Sequence, residues 1–504
     1  MSVINTVISW FMKQRMHQIE LFLKYPTDVQ DEVRRKLLSS ARQTEWGLLY
    51  DYATIRTDDD YRQRVPVSTY EQLQPYIERI MKGEQYLLWS SEIRWFAKSS
   101  GTTNDRSKFI PVSEEALEDC HFKGGKDMLS MYCNVYPETQ IFSGKGLTIG
   151  GSHQINQLNN DSYYGDLSAV LMQNLPVWAE FIRTPELSVA LLENWEEKVE
   201  KIGLETMHQD VTNLAGVPTW LMVLFKWMLD YSGKQNMLDI WPNLEVYFHG
   251  GVSFSPYREQ FKQLIPSTGM RYMETYNASE GFFGIADQVN SDELLLMLDY
   301  GIYFEFMDPA DVGSPFPKTY TLAEVQLAKN YAVIISTNAG LWRYLIGDTI
   351  RFTCLNPFRF KISGRTKHFI NAFGEELIIE NAETALFEAC AATEASIREY
   401  TAGPVFLTTG SKGAHEWLIE FEKQPRSQEQ FNLHLDRVLR RINSDYDAKR
   451  QKDLALQAPI IHVVPDGTFY NWMKRRGKLG GQNKVPRLAN DRKFLDDILA
   501  FMRE

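Results

Sequence analysis

This sequence predicts a mixed α/β fold: a large N-terminal domain with several sheets and flanking helices, followed by a small α+β domain. Three observations lead there. The chain has 504 residues, more than a single core serves well. Helical periodicity dominates up to about residue 90, and glycine-punctuated strand-like runs dominate from Leu244 to Thr353. Past Arg365 the pattern restarts as a helix-and-strand alternation of about 140 residues, a usual domain size. The division therefore falls into residues 1–366 and 367–504.

Composition narrows the class of partner. An apolar fraction of 44% with 24% charged residues is ordinary for a chain that folds throughout. The 54 basic and 65 acidic side chains give a formal charge of −11, so no basic surplus drives nucleic-acid binding. Cys120, Cys133, Cys354 and Cys390 are scattered without a Cys-x-x-Cys pair, which speaks against a zinc site and against a disulfide framework. Met1 to Lys24 mixes apolar residues with Lys13, Arg15, His17 and Glu20 and reads as an amphipathic helix rather than a signal. Trp220 to Phe225 and Leu294 to Leu298 fall far short of the roughly 20 residues a membrane span needs. A cytoplasmic monomer is expected.

In order along the chain, Ile19, Phe22 and Leu23 mark one helix, and Val33, Leu37 and Leu38 the next. Ser68-Thr69 caps a third from Tyr70 to Met81, which Pro75 is expected to kink or shorten. Two strand-like runs, Ile93 to Ala97 and Phe109 to Val112, bracket Ser99-Ser100-Gly101-Thr102-Thr103-Asn104-Asp105-Arg106-Ser107-Lys108. A loop so rich in hydroxyls, with a Gly at the turn and a Lys near its end, suits phosphate oxygens: N–H and O–H groups donate, and the ammonium balances charge. It lacks the second Gly and following hydroxyl of the nucleotide triphosphatase P-loop, and a flexible polar turn accounts for it equally well. Ser113 with Glu114 and Glu115 starts a helix expected to run to about Tyr132.

Leu147 to Ile149 reads as a short strand before Gly150-Gly151 and His153, a histidine of structural type. Helices follow from Pro185 to Ile202 and from Val217 to Tyr231, the latter with Pro218 in its first turn. Tyr163-Tyr164 and Trp178 to Phe181 offer aromatic surface for a ligand pocket or, more commonly for such residues, for ordinary core. Leu244 to Phe248 runs as a strand into His249-Gly250-Gly251, where paired glycines allow close approach of a flat or anionic ligand or simply a turn. The strand Met270 to Thr275 then leads into Tyr276-Asn277-Ala278-Ser279-Glu280-Gly281. At a nucleotide site Tyr276 would stack on a base, Ser279 would donate to a phosphate and Glu280 would hold Mg²⁺; a polar turn is the alternative.

Strands are expected at Tyr300 to Phe306, Ala323 to Leu327, Tyr331 to Ser336 and Thr349 to Thr353. Asp348, straight after Gly347 at a strand start, has two oxygens with which to accept from both ribose hydroxyls, and an ordinary Asp-containing hairpin turn is the alternative. Ile362 to Lys367 is a polar, Gly-containing boundary. The second domain reads as helix Ile379 to Cys390, strands Val405 to Thr409 and Glu416 to Phe421, helix Ser427 to Asn443 and strand Ile460 to Val464. It ends in a basic, Gly-rich loop from Lys474 to Arg487 that contains no acid, suited to meeting anions or to plain solvation.

Each motif has a plain alternative, but their order is specific. From Ser99 to Arg487 the sequence resembles the adenylate-forming enzymes, and within them the Gretchen Hagen family of acyl acid amido synthetases. The resemblance implies ATP as cosubstrate, bound through Ser99, Ser100, Gly101, Thr102, Thr103 and Lys108 of the phosphate loop, Gly250 and Gly251, and Tyr276 and Ser279. It further implies Glu280 as a catalytic residue and the Mg²⁺ ligand, Asp348 on the ribose, and a hinge at Gly364-Arg365-Thr366-Lys367. Arg365 lies at the nucleotide and Lys484 is the mobile catalytic lysine. Plant members usually carry Gly where this chain has Asp105. The implied reaction joins a carboxylic acid to an amine, an amino acid in this family, through an acyl-adenylate. An acyl-CoA ligase with the same first step, and a non-catalytic nucleotide-binding protein on the same scaffold, are the competing readings.

Overall fold

The computed structural model describes residues 10–503 apart from 11, 13, 100–107, 151–154, 159–160, 193, 252–253, 255–256, 289–290, 315–316, 366–368, 376, 408–411, 452–454 and 477–484. Most of phosphate loop Ser100–Ser107, His153, hinge residues Thr366 and Lys367, and Lys484 lie outside the described residues.

One large mixed sheet organises the N-terminal part. Its parallel half runs, in spatial order, through Arg271–Ala278, Val246–His249, Val211–Gly216, Lys145–Thr148 and Arg183–Thr184. Across Arg271–Ala278 the sheet turns antiparallel and continues through Gly281–Ile285, Leu294–Leu296, Phe358–Arg365, Tyr344–Leu355, Asn330–Thr337 and Ile302–Met307. The parallel half packs against helices Trp195–Thr206 and Pro218–Ser232, whose interior faces carry Val199, Ile202, Leu221 and Phe225. Pro218 at the first helical position forgoes an N–H that has no intrahelical partner anyway.

A smaller four-stranded sheet holds the phosphate hairpin, with Trp95–Ser99 and Lys108–Val112 antiparallel and Ser99 opposite Lys108. The separate C-terminal domain has a three-stranded sheet, Ser396–Val405, Ala414–Lys423 and Ile460–Val464, backed by helices Ile379–Thr393 and Gln428–Ile442. It packs against the large domain: Tyr257 Oη donates to the Ala372 carbonyl at 2.8 Å and Gln260 Nε2 to that of Leu407 at 2.7 Å.

Several elements differ from expectation for local reasons. Helix Tyr70–Met81 keeps its full length with Pro75 inside it, anchored by Leu73, Ile77 and Ile80 in the core. The single helix expected over Pro185 to Ile202 is two, Leu187–Ala190 and Trp195–Thr206, because Asn194 caps the second by accepting from Glu197 N at 3.1 Å. Ala323 to Leu327 is not a strand: Thr321 N and Oγ1 both donate to Glu324, folding a turn, and Thr319–Tyr320 pairs with Ile302–Met307 instead. The strand placed at Val405 to Thr409 lies earlier, at Ser396–Val405. Lys474 and Arg475 close helix Thr468–Arg475 instead of opening a loop. The helix after Ser113 is α only at its ends; Leu117–Phe122 is a π-helical stretch.

Arg343 holds the turn that starts strand Tyr344–Leu355. Its guanidinium meets Glu305 at 2.8 and 2.9 Å, and donates to Thr319 Oγ1 and to the carbonyls of Arg62 and Val65. Both partners are almost fully buried, 3% and 1% exposed. A buried charge left without its partner costs far more than the pair contributes, so Arg343→Leu is expected to lose about 3–5 kcal/mol of stability. Urea unfolding checks this, and the double change with Glu305→Leu should recover much of the loss.

Candidate active site

The strands of the parallel half share one open end. After Thr148 comes Ile149-Gly150, after Gly216 comes Val217, after His249 comes Gly250-Gly251, and after Ala278 comes Ser279. All these strand-end segments border a single cavity of about 600 Å³. The carboxyl ends of parallel strands are where open α/β sheets bind ligands, because backbone N–H groups and short loops converge there without side-chain obstruction. Ser99, at the base of the phosphate hairpin, borders the same cavity.

Gly250 fits only as glycine. A Cβ built there would sit 2.5 Å from the carbonyl oxygen of Thr275 on the next strand, and Gly251 has φ +79°. The two glycines thus keep the strand end flat against its neighbour and turn the chain away from the opening. Ser279 and Glu280 form the two-residue turn of the hairpin between Arg271–Ala278 and Gly281–Ile285, in which Gly281 pairs with Ala278. Ser279 borders the cavity and Glu280 is half-buried beside it in sequence. Among the described residues no group of three or more acids, histidines and cysteines could hold a metal. A single carboxylate on a turn fits Mg²⁺ that takes its remaining ligands from phosphates and water.

Tyr276 and Asp348 meet directly: Tyr276 Oη donates to Asp348 Oδ2 at 2.5 Å, both side chains buried. Asp348 lies inside a strand, not in a turn before one. From Leu345 to Thr349 that strand takes four steps while its partner takes two, Ile334 to Ala332, so Ile346-Gly347-Asp348 bulges out. Gly347, at φ +95°, permits the bulge, which re-aims the side chain of Asp348. Asp348 stands opposite Arg365 in the register. Lys108 reaches the same strand, its Nζ 3.4 Å from Tyr344 Oη and 5.7 Å from the centre of the Tyr70 ring. Tyr276, Asp348 and Lys108 do not border the cavity itself. Lys484 precedes Val485, and the chain there is tied to the C-terminal sheet: Thr401 Oγ1 donates to the Pro486 carbonyl at 2.6 Å and Ala402 N to that of Arg487 at 2.9 Å.

The wall opposite the strand ends is apolar, built from Phe122, Met128, Leu129, Leu171, Met172 and Leu175. Lys126 and His121 border the cavity among them, and His121 was not visible as a site residue in the sequence. It is buried, and Nδ1 has no hydrogen-bond partner among the described residues. Burial alone pushes its imidazole down to about 4, so the ring is neutral. The π-helical stretch supplies the signal that was missing: the wider turn shifts the register of residues 120–122 relative to a regular helix. The aromatic candidates fare differently. Tyr163 stacks on Trp95 and Tyr164 packs edge-on to Phe109, while Phe181 is exposed.

Residues 15–270 match the GH3 family N-terminal domain, residues 295–365 its central domain and residues 380–493 its C-terminal domain. The chain belongs to the GH3 family. Within that family it is 26% identical over 561 residues to the indole-3-acetic acid-amido synthetase GH3.4 of Arabidopsis thaliana, covering 94% of this chain and 91% of that protein. It is 24% identical to the 4-substituted benzoates-glutamate ligase GH3.12 of the same plant, with 93% of each covered. The GH3.15 acyl acid amido synthetase has the same fold, at TM-score 0.61 and 19% identity over 97% of this chain and 96% of that one. So does a 2-hydroxyisobutyryl-CoA ligase in complex with 2-HIB-AMP and CoA, at TM-score 0.58 and 13% identity, covering 95% and 92%. The matched segments include most of the cavity lining and the strand that carries Asp348.

Two outcomes follow from this geometry. If Asp348 accepts from the ribose, as the family resemblance implies, Asp348→Ala is expected to weaken ATP binding about tenfold or more, the scale of a lost hydrogen bond to a charged group; unchanged affinity by calorimetry would remove Asp348 from the site. His121 and His249, the latter held near 3 by burial, are neutral in the folded chain and titrate near 6.5 when unfolded. Stability should therefore fall as pH drops below about 6.5, by about 1 kcal/mol per histidine between pH 7 and 5.5. His121→Phe should flatten that acid limb in urea titrations at the two pH values.

Proposed function

We infer that the chain is an ATP-dependent acyl acid amido synthetase that joins a carboxylic acid to an amine, an amino acid by the chemistry of its family. The observation that carries the reading is the meeting of Ser99, Gly250, Gly251 and Ser279 on one cavity whose opposite wall is apolar. One side is suited to phosphates and the other to the body of an organic acid. Membership of the GH3 family and the amido synthetase names of its relatives support it.

The reaction is expected to run in two steps. A carboxylate oxygen attacks the α-phosphorus of ATP, the bond to the β-phosphate oxygen breaks, and pyrophosphate leaves, giving an acyl-adenylate. The amine nitrogen then attacks the acyl carbon, the carbon–oxygen bond to AMP breaks with its electron pair, and the nitrogen gives up a proton. Activation is needed because a carboxylate repels nucleophiles and has a poor leaving group, whereas AMP leaves readily. No covalent enzyme intermediate is required.

Gly250 and Gly251 let the nucleotide approach the strand ends, and Ser279 with Ser99 and the rest of the phosphate loop donates to phosphate oxygens. Asp348, positioned by its bulge and by Tyr276, accepts from the ribose. Mg²⁺ held by Glu280 would supply charge stabilisation at the phosphates. Lys484 donates its positive charge where negative charge gathers at the α-phosphate. For this residues 367–504 turn about Lys367 and carry Lys484 in and out. The chain is proposed to act as a cytoplasmic monomer; among the described residues no helix is long and apolar enough to cross a membrane.

Lys484→Ala is expected to abolish most acid-dependent ATP–pyrophosphate exchange while leaving ATP binding nearly intact. Exchange at the unaltered rate would sink the assignment of Lys484. Product analysis by mass, with amino-acid and thiol acceptors supplied in parallel, should yield an amide; a thioester alone would make the protein an acyl-CoA ligase.

A further inference from the structure

The wall that the C-terminal domain contributes to the cavity is neither apolar nor part of the strand-end region. It consists of Asn371, Gly374, Asp445, Ala448 and Lys449. Lys449 is nine-tenths buried, on helix Ser444–Arg450, with its Nζ 4.6 Å from the centre of the Trp220 ring. Trp220 borders the cavity too. No carboxylate among the described residues forms an ion pair with Lys449. An indole face offsets part of the cost of removing an ammonium from water, but it does not replace an anion.

We propose that Lys449 anchors the α-carboxylate of the acceptor amino acid, in a subsite that the C-terminal domain adds to the cavity. The proposal rests on the synthetase reading and names the acceptor end of that same site. Each of the other reactants already has a wall of its own. Phosphates have the strand ends and Ser99, and the acid's body has Phe122, Leu129, Leu171 and their neighbours. Lys98, Lys126 and Arg183 border the cavity from the N-terminal part, and Asp166 and Asp445 supply the opposite charge. Lys449 differs from these three cations in its burial against the Trp220 ring.

Lys198 supports this placement. It is buried, its Nζ donates to the Gly150 carbonyl at 3.2 Å, and Gly150 follows the strand that ends at Thr148. Burial lowers its ammonium to about 8, with Asp166 opposing and Lys449 adding to the shift. The two ammonium groups and Asp166 therefore act on one another across the same region. An incoming carboxylate would find its partner in Lys449, the ammonium of the two that borders the cavity.

Lys449→Met in the full chain keeps an apolar stem over Trp220 and removes the charge. The KM for the acceptor amino acid is expected to rise about 10- to 100-fold, the scale of a lost charge-assisted hydrogen bond. Acid-dependent pyrophosphate exchange should change less than about twofold. The amine derived from the same amino acid by loss of its carboxyl group should react equally with both proteins, and Lys449→Arg should restore most of the amino-acid KM. An unchanged amino-acid KM alongside normal exchange overturns the subsite, as does a rise in the KM for ATP in its place. Absence of exchange in the unaltered protein with every acid tried overturns the synthetase reading, and the subsite with it.

Discussion

The bond between Tyr276 and Asp348 constrains the whole sheet. In the order of strands, Arg271–Ala278 and Tyr344–Leu355 are separated by Gly281–Ile285, Leu294–Leu296 and Phe358–Arg365. In a flat sheet that is four strand spacings, about 19 Å. Two side chains that meet at 2.5 Å across such a gap require the antiparallel half to curl back on itself. Irregular registers within that span add twist: the pairing slips between Phe282 and Gly284, and twice where Tyr344–Leu355 meets Phe358–Arg365. Gly284 stands at the first of these slips.

Curling has a chemical consequence. It brings the strand that follows Arg343 over the strand at the junction of the two half-sheets, so a carboxylate from residue 348 stands beside the end of a strand 70 residues earlier. The buried Arg343–Glu305 pair fixes where that strand begins, and its bonds to the Arg62 and Val65 carbonyls tie the start to the N-terminal helices. Helices without a site residue of their own thereby set the position of Asp348. Such remote positioning is what allows a small bulge, rather than a mobile loop, to present the carboxylate.

Much of this was legible in the sequence. Strand Ile460–Val464 and helix Tyr70–Met81 could be placed to the residue, because alternation and capping are local signals. The turn residues of the candidate site were legible as types and in order: Gly250-Gly251 read as an approach to a ligand or as a turn, and the structure shows a strand end that has no room for a Cβ beside Thr275. Asp348 was read at a strand start, but it sits in a bulge inside a strand, which only the partner strand decides. His121 was invisible for a different reason. A π-helical stretch leaves the apolar periodicity of its flanks intact, and its effect on one imidazole depends on packing against Leu167–Gln173, which the local sequence does not encode. Lys449 was hidden in the same way, as a lysine among lysines until the domains pack together.

The cavity brings these levels together as a problem of keeping charges apart. An acyl-adenylate is a mixed anhydride that water destroys, so the reacting carbon is best held where few groups bind water. The apolar wall with its neutral His121 does that on one side. Gly250, Gly251 and Ser279 stand at the strand ends, and the C-terminal domain adds Asp445 and Lys449 to the lining. On the synthetase reading, the groups that water would follow are supplied by a domain that packs on last. On that reading, recognition of the second substrate and protection of the first product depend on the same domain contact, Lys449 over Trp220.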